Sequence, residues 1–494
     1  MNRSYFKYLL FIFISCIFSQ QESEISTTGS FGTVTINGEL YNQIAIRPEI
    51  PLGKIGLALD IYLYYNDEGI YLESWNFSSF PSAYKTIIDK IYYLKWGKPE
   101  EDFYFILGAL PNISIGSGIL VSEYSNIIEY PQVRQVGINL NLKVKKIKLE
   151  VIHSNFKDID PALVGVRGAM NILPNLYAGL SYVTDLDQNN GLKDTDGDDY
   201  PDYYDYYPND EAKHDSLAYW ENIYTEITGG LSGFDNWYFG YNHNNPYDPS
   251  IVDKDPIAGV AFDLTYLLSK KIKIYSQAAK LIGKLDSAPE GVSNLELGWG
   301  VVPIGLSSYW GPMNFQLEFR YNSSNFLFNY WNRTYDINRA TIFYDTEGSK
   351  IQTKESQLYR FGALGGLFSK ASFDFINLFS ISLGYQDMRG EIWNEQELKY
   401  LNDANKTFLG SLSLNTKRIP KLEQAEAFYQ QMDVPNPFDF NPTLSTLWGY
   451  NLGVEISDGV KLVYKSRTTY MSDPDNINKL IPIETLQIET QVMF

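Results

Sequence analysis

Leu486-Gln487-Ile488-Glu489-Thr490-Gln491-Val492-Met493-Phe494 closes the chain with Leu, Ile, Val and Phe on one set of alternate positions and Gln, Glu and Gln on the other. A repeat of two sends successive side chains to opposite faces, so this is a β-strand with one apolar and one polar face. The same dyad recurs upstream. Phe315, Leu317, Phe319 and Tyr321 oppose Asn314, Gln316, Glu318 and Arg320; Ile138, Leu140, Leu142 and Val144 oppose Asn139, Asn141 and Lys143. Ile147, Leu149 and Val151 then oppose Lys148 and Glu150, with Lys145-Lys146 as a tight polar turn between the two runs. Further alternating runs cover 55–65, 176–182, 237–241, 271–279 and 462–470. The chain is therefore all-β, built from many amphipathic strands.

Composition narrows what such a chain can be. It has 494 residues with 40 basic and 59 acidic side chains, a net charge of −19 that repels nucleic acid and other polyanions. One cysteine, Cys16, and three histidines exclude a disulfide scaffold and a cysteine-based zinc site. Arg3 and Lys7, the apolar run Leu9 to Phe18 and the small residue Ser19 read as an export signal over 1–19, cleaved near Ser19. Its removal lowers the basic count to 38 and the net charge to −21. No later run approaches the ~18 apolar residues of a transmembrane helix, so the exported part, 20–494, is either soluble or a membrane barrel.

The terminal strand decides between these. An alternating strand ending in Phe494 resembles the C-terminal signature of bacterial outer-membrane β-barrels, which implies recognition by the barrel-assembly machinery through that strand. The 9 Trp, 39 Tyr and 28 Phe can supply the aromatic girdles of such a barrel. Gly116-Ser117-Gly118, the Tyr130-Pro131 to Gly137 run, Phe319-Arg320-Tyr321 and Tyr330-Trp331-Asn332-Arg333 are also similar to uncharacterised Gram-negative outer-membrane barrels of porin-like type. At ~9 to 11 residues per spanning strand, the expectation is a transmembrane antiparallel barrel of about 16 strands (14–18) with long extracellular loops, in contact with outer-membrane lipid.

An acidic insert, 185–215, holds eleven carboxylates and two lysines. Uncompensated charge at that density stays disordered unless a cation neutralises it. Asp194, Asp196, Asp198, Asp202 and Asp205 stand at positions 1, 3, 5, 9 and 12 of a twelve-residue loop, with the Tyr200 carbonyl at position 7, a spacing of hard oxygen ligands that suits Ca²⁺. Asp185, Asp187 and Asn189 open an overlapping loop that ends on Asp196. The segment resembles thrombospondin type 3 calcium repeats, with Asp199 where the sixth position usually has Gly.

No catalytic constellation stands out: His153, His214 and His243 lack a nucleophile context, and Gly-x-Ser-x-Gly and His-Glu-x-x-His are absent. Gly116-Ser117-Gly118 lacks the Lys-Ser/Thr of a phosphate loop and fits a bulge or an inward-folded constriction loop. If apolar faces meet lipid, the alternate positions meet the lumen: Lys143, Arg167, Lys273, Glu318, Arg320, Lys465 and Arg467 are the charged candidates. Basic groups there either favour small polar, anionic solutes or snorkel to the interface. Helical spacing marks Ser216 to Thr228 and Lys421 to Met432 as candidates for one or two short loop helices or plugs, and the Pro-rich 435–442 reads as a loop. Two functions follow: porin-like passage or binding of small polar solutes, or a plugged barrel anchoring an adhesive or envelope-structural surface.

Overall fold

A computed structural model describes residues 26–493 except 37–38, 68, 72–74, 131–132, 158–160, 193, 195–197, 199, 208–212, 214–215, 231, 235–253, 284, 286–287, 346–347, 376–377, 417–420 and 474–475. The export segment, the strand expected at 237–241, His214, His243, Asp196 and Phe494 lie outside the described residues.

Twenty antiparallel strands close into a barrel among the described residues. In chain order they are β1 Ser26–Ile36, β2 Glu39–Leu52, β3 (Ile55–Leu59 and Ile61–Asn66, interrupted at Asp60), β4 Ile91–Trp96, β5 Phe103–Gly108, β6 Gly137–Val144 and β7 Ile147–His153. There follow β8 Val164–Leu173, β9 Leu176–Asp185, β10 Ile257–Leu267, β11 Ile272–Ile282, β12 Trp299–Trp310, β13 Met313–Asn322 and β14 Phe361–Phe375. The last six are β15 Phe379–Asn394, β16 Lys399–Leu414, β17 Leu422–Val434, β18 Leu447–Ser457, β19 Val460–Asp473 and β20 Asn476–Met493. Each strand pairs with its sequence neighbour, and the ring shuts where β1 meets β20, Thr28 opposite Met493 and Val34 opposite Gln487. Pairing of the first strand with the last removes the two outer edges that an open sheet would expose to the hydrocarbon core of a membrane.

The alternation reads as expected. On β13, Phe319 and Tyr321 are 52% and 47% exposed on the outside while Glu318 and Arg320 are 1% and 5% exposed on the inside. Leu180, Tyr182, Phe262 and Tyr266 likewise face out, and Ser181 and Asp263 face in. An apolar outer surface over a polar interior is the inverse of a soluble protein and marks a barrel that sits in lipid. At one end, with both termini, the connections are short (53–54, 145–146, 174–175, 311–312, 458–459); at the other lie the long segments.

Two expectations are corrected. The count is twenty rather than about 16, because β4 to β7 have only six to eight residues each, fewer than a full spanning strand, so more strands fit into the same chain. Lys421 to Met432 is not a helix but most of β17, paired with β16 and β18. Its sparse apolar residues mimic helical spacing, and pairing on both edges overrides that local signal. The helix at Ser216–Thr228 has the expected bounds.

Candidate functional site: a cationic chamber under two inward loops

Residues 109–130 and 133–136, between β5 and β6, fold into the lumen. Ile113 and Tyr124 exchange backbone hydrogen bonds at 2.8 and 2.9 Å, and Ile115 N–H donates to the Val121 carbonyl at 3.2 Å, making a narrow hairpin-like limb. The limb is tied to the wall by its own backbone: Gly116 N–H donates to Glu150 at 3.2 Å and Ile119 N–H to the Gln277 side chain at 3.3 Å. Gly116 has φ +62°, and a Cβ there would lie 3.1 Å from the Arg167 Nε, so both the turn and the close approach to the wall favour glycine. Gly116-Ser117-Gly118 is thus part of an inward loop.

A second loop, after β13, comes in beside it. Asn329 N–H donates to the Ile119 carbonyl, Trp331 N–H to Leu120 and Ser122 N–H to Trp331, at 2.9 to 3.1 Å, so that Val121 and Trp331 form a parallel bridge inside the barrel. Leu110, Val121, Tyr124, Phe326, Trp331 and Tyr335 pack around this bridge with no exposure. Some of the buried polar groups around the pair are tied to one another, while the Trp331 indole N–H and the Asn329 side-chain oxygen are buried without a hydrogen-bond partner among the described residues. The Tyr124 hydroxyl donates to both Asp336 oxygens at 2.8 Å, and Tyr335 and Arg339 donate to Asp185 at 2.9 and 3.2 Å. Burial pushes the Asp336 carboxyl up to about 6 and the Lys354 ammonium, which donates to the Tyr330 carbonyl, down to about 8.

Against these loops lies a chamber of about 200 Å³. Four cations line it, Lys273, Arg320, Arg333 and Lys370, with the single acid Glu123; Ser114, Ser117, Ser122, Gln316, Asn329, Asn332 and Gln430 supply hydroxyls and amides. Arg320 is held by Glu318 at 2.6 Å and lies over the Phe368 ring at 4.0 Å, and Lys370 pairs with Glu123. Lys273 and Arg333 form no salt bridge among the described residues; Lys273 lies 5.5 Å from the Tyr275 ring and Arg333 5.3 Å from Phe428. The chamber lining therefore has more cations than acids, beside groups able to hydrogen-bond a polar guest.

Of the lumen candidates, Lys273 and Arg320 line the chamber, and Glu318 orients Arg320 while accepting from the Tyr275 hydroxyl at 2.6 Å. Arg167 is spent on Asp263 and Glu150, at 2.8 and 3.2 Å. Lys465 lies 3.9 Å from Glu489, which also holds Arg47, and Arg467 donates to the Ile127 carbonyl of the inward loop. Lys143 does not line the chamber: it sits near a short turn, 59% exposed, 3.5 Å from Asp102. Arg333, Lys370 and Glu123 were absent from the candidates. Lys370 was open to the alternation rule through Phe368-Ser369-Lys370, whereas Arg333 and Glu123 come from loops whose inward course no periodicity announces.

Among the metal candidates, Asp185 anchors the second loop as described. Asp187 Oδ1 accepts from Asn189 N–H, Asp198 Oδ1 from Tyr200 N–H and Asp205 Oδ1 from Tyr207 N–H, each at 2.8 to 3.0 Å. Asp194 and Asp202 are described without converging on these, and no group of three or more acidic, His or Cys side chains gathers among the described residues.

No protein-family model matches the chain, and no curated protein matches it in sequence. Among solved structures it is similar to OccK11 (OpdR) of Pseudomonas aeruginosa, at 9% identity over 95% of this chain and 94% of that one, with a TM-score of 0.33. It is similar to the siderophore receptor PirA of Acinetobacter baumannii, at 9% identity over 96% and 81%, TM-score 0.34. A third is Wzi, an outer-membrane carbohydrate-binding β-barrel involved in group 1 capsule assembly in Escherichia coli, at 10% identity over 99% and 88%, TM-score 0.32. With TM-scores this low, fold and function rest on the barrel's own geometry.

Proposed function

We propose that the protein is a porin-like barrel of the Gram-negative outer membrane that binds or passes small polar solutes, with a preference for anions. The chamber carries this reading: Lys273 and Arg333 lie without a salt bridge among the described residues, among hydroxyls and amides and against a constriction built from the protein's own loops. Charge lining a narrow path sets ion selectivity. A volume of about 200 Å³ is below the ~300 Å³ at which drug-sized pockets begin, so the guest is a single small molecule rather than an oligomer. Liposome swelling tests it: small hydroxylated anions should enter faster than neutral solutes of equal size, and Lys273→Gln with Arg333→Gln should erase the difference. Equal rates in the parent protein would refute the preference.

The packed loop pair also favours a second reading, a plugged anchor whose external loops make the contacts; a folded barrel that admits no solute would decide for it. In either case the acidic segment 185–215 is proposed to take Ca²⁺ through Asp187, Asn189, Asp194, Asp196, Asp198, Tyr200, Asp202 and Asp205, with Asp185 at its base. The side-chain turns at Asp187, Asp198 and Asp205 support this, since they curl the backbone around carboxylates as a calcium loop requires. Millimolar Ca²⁺ should protect the segment from protease in the parent and not in Asp194→Asn/Asp198→Asn. Insertion of the barrel is proposed to run through its last strand, and deletion of Phe494 tests that.

A further inference from the structure

The barrel wall is incomplete where β3 meets β4. β4 and β5 have six residues each, and a six-residue strand rising ~3.3 Å per residue at a tilt of ~40° reaches about 15 Å, against an apolar band of ~25 Å. β4 pairs only with the lower segment of β3, Ile55–Leu59. The upper segment, Ile61–Asn66, pairs with β2 on one side and, on the other, with Gly69–Ile70 at its tip. Between the tip and β4 the backbone edge would face lipid, which a membrane does not tolerate.

Tyr71 and residues 75–90 cover that edge. Tyr71 N–H donates to the Tyr64 carbonyl, the Trp75 indole to the Tyr62 carbonyl, and Asp60 N–H to the Lys90 carbonyl, at 2.8 to 3.0 Å. Among them lies a helix, Phe80–Ile88, capped by the Ser79 hydroxyl and opened by Pro81. Its amphipathicity is inverted relative to a helix on a soluble protein. Thr86, and Lys90 just beyond the helix, are 6% and 8% exposed and turn toward the barrel, Thr86 donating to the Asn76 carbonyl and Lys90 lying 3.7 Å from the Tyr62 ring. Phe80, Tyr84 and Ile87, at i, i+4 and i+7, are 86%, 43% and 58% exposed, and Phe77 extends the stripe.

Polar groups inward and apolar groups outward is the rule of the barrel wall itself, and the stripe continues the outward face of Ile61 and Tyr65 beside it. We infer that Phe77, Phe80, Tyr84 and Ile87 are seated in the acyl region of the membrane, so that this helix replaces the missing upper half of two strands. Lys85, exposed on the same helix, reaches the anionic headgroups above. The inference is independent of what the lumen admits.

Single cysteines at Phe80, Tyr84 and Ile87 in a Cys16→Ser background, labelled with NBD and reconstituted in phosphatidylcholine vesicles, test it. Glu100→Cys in a short turn is the aqueous control. The expected result is blue-shifted emission at all three helix positions, quenched by acyl-brominated phosphatidylcholine and not by iodide, with the reverse at Glu100. Water-like emission quenched by iodide at the helix positions would overturn the inference. So would labels shielded from both quenchers while the same cysteines cross-link two copies, which would assign the stripe to a protein partner.

Discussion

The wall from β4 to β7 and the wall from β14 to β20 obey the same alternation, yet their strands have six to eight residues in the first and eleven to eighteen in the second. On the tall side the chain is used in wall, and connections such as 395–398 are brief. On the short side chain length is left over, and it goes inward as the constriction loop and outward as the Phe80–Ile88 helix. Charge follows the same division. Asp60 at the break in β3 is 1% exposed and meets Arg134 of the inward loop at 2.5 Å and Arg47 at 2.9 Å, whereas Lys399 and Glu397 pair in the open, 59% and 52% exposed. The short wall holds the gate, and the tall wall supplies Lys370 and Gln430 as the surface it closes against.

Excision of the inward limb, residues 113–124 replaced by a short Gly-Ser link, is the strongest attack on this division. It should raise single-channel conductance several-fold, while shortening 395–398 on the tall side leaves it unchanged. Next comes Asp60→Ala, which leaves Arg134 without its counter-charge and Arg47 with Glu489 alone; loss of one member of a buried pair costs about 3–5 kcal/mol, read as a lower denaturant midpoint in detergent.

Asp336 gives a pH-dependent test of the loop pair. Burial raises its carboxyl to about 6, with Tyr124 donating to it and Arg339, Glu129 and Gln135 nearby. Its contribution is therefore complete below the ordinary value of 3.8 and is lost as pH rises through about 6. The parent should be more resistant to denaturant at pH 4.5 than at pH 7, by about 2 kcal/mol, relative to Asp336→Asn, which lacks that dependence. The smallest effect belongs to the tall side: Lys399→Ala should move the midpoint by no more than about 0.5 kcal/mol, because an exposed pair contributes little.

Which face of a long alternating strand meets lipid was legible because the dyad survives any error in strand ends: Phe319 and Glu318 separate whatever the register. Strand number was not, since six-residue runs such as Ile91–Trp96 are too short to display a period, and β17 hides its own. Adjacent Phe428 and Tyr429, with a register shift between Leu422 and Gln424, disturb its alternation. The cationic lumen was half legible. Lys273 and Arg320 followed from alternation, but pairing across strands, as in Arg167 with Glu150 and Asp263, depends on register that one strand does not encode. Arg333 and Glu123 depend on loops meeting inside a barrel, a contact fixed only once the strands have closed.

The central claim is that the lumen is a constricted path governed by its excess of cations. Reversal potential across a planar bilayer under a tenfold KCl gradient tests it most directly. The account predicts small, stable conductance steps whose reversal potential has the sign of chloride preference; cation preference, or a silent barrel that stays silent after residues 113–124 are excised, would contradict it.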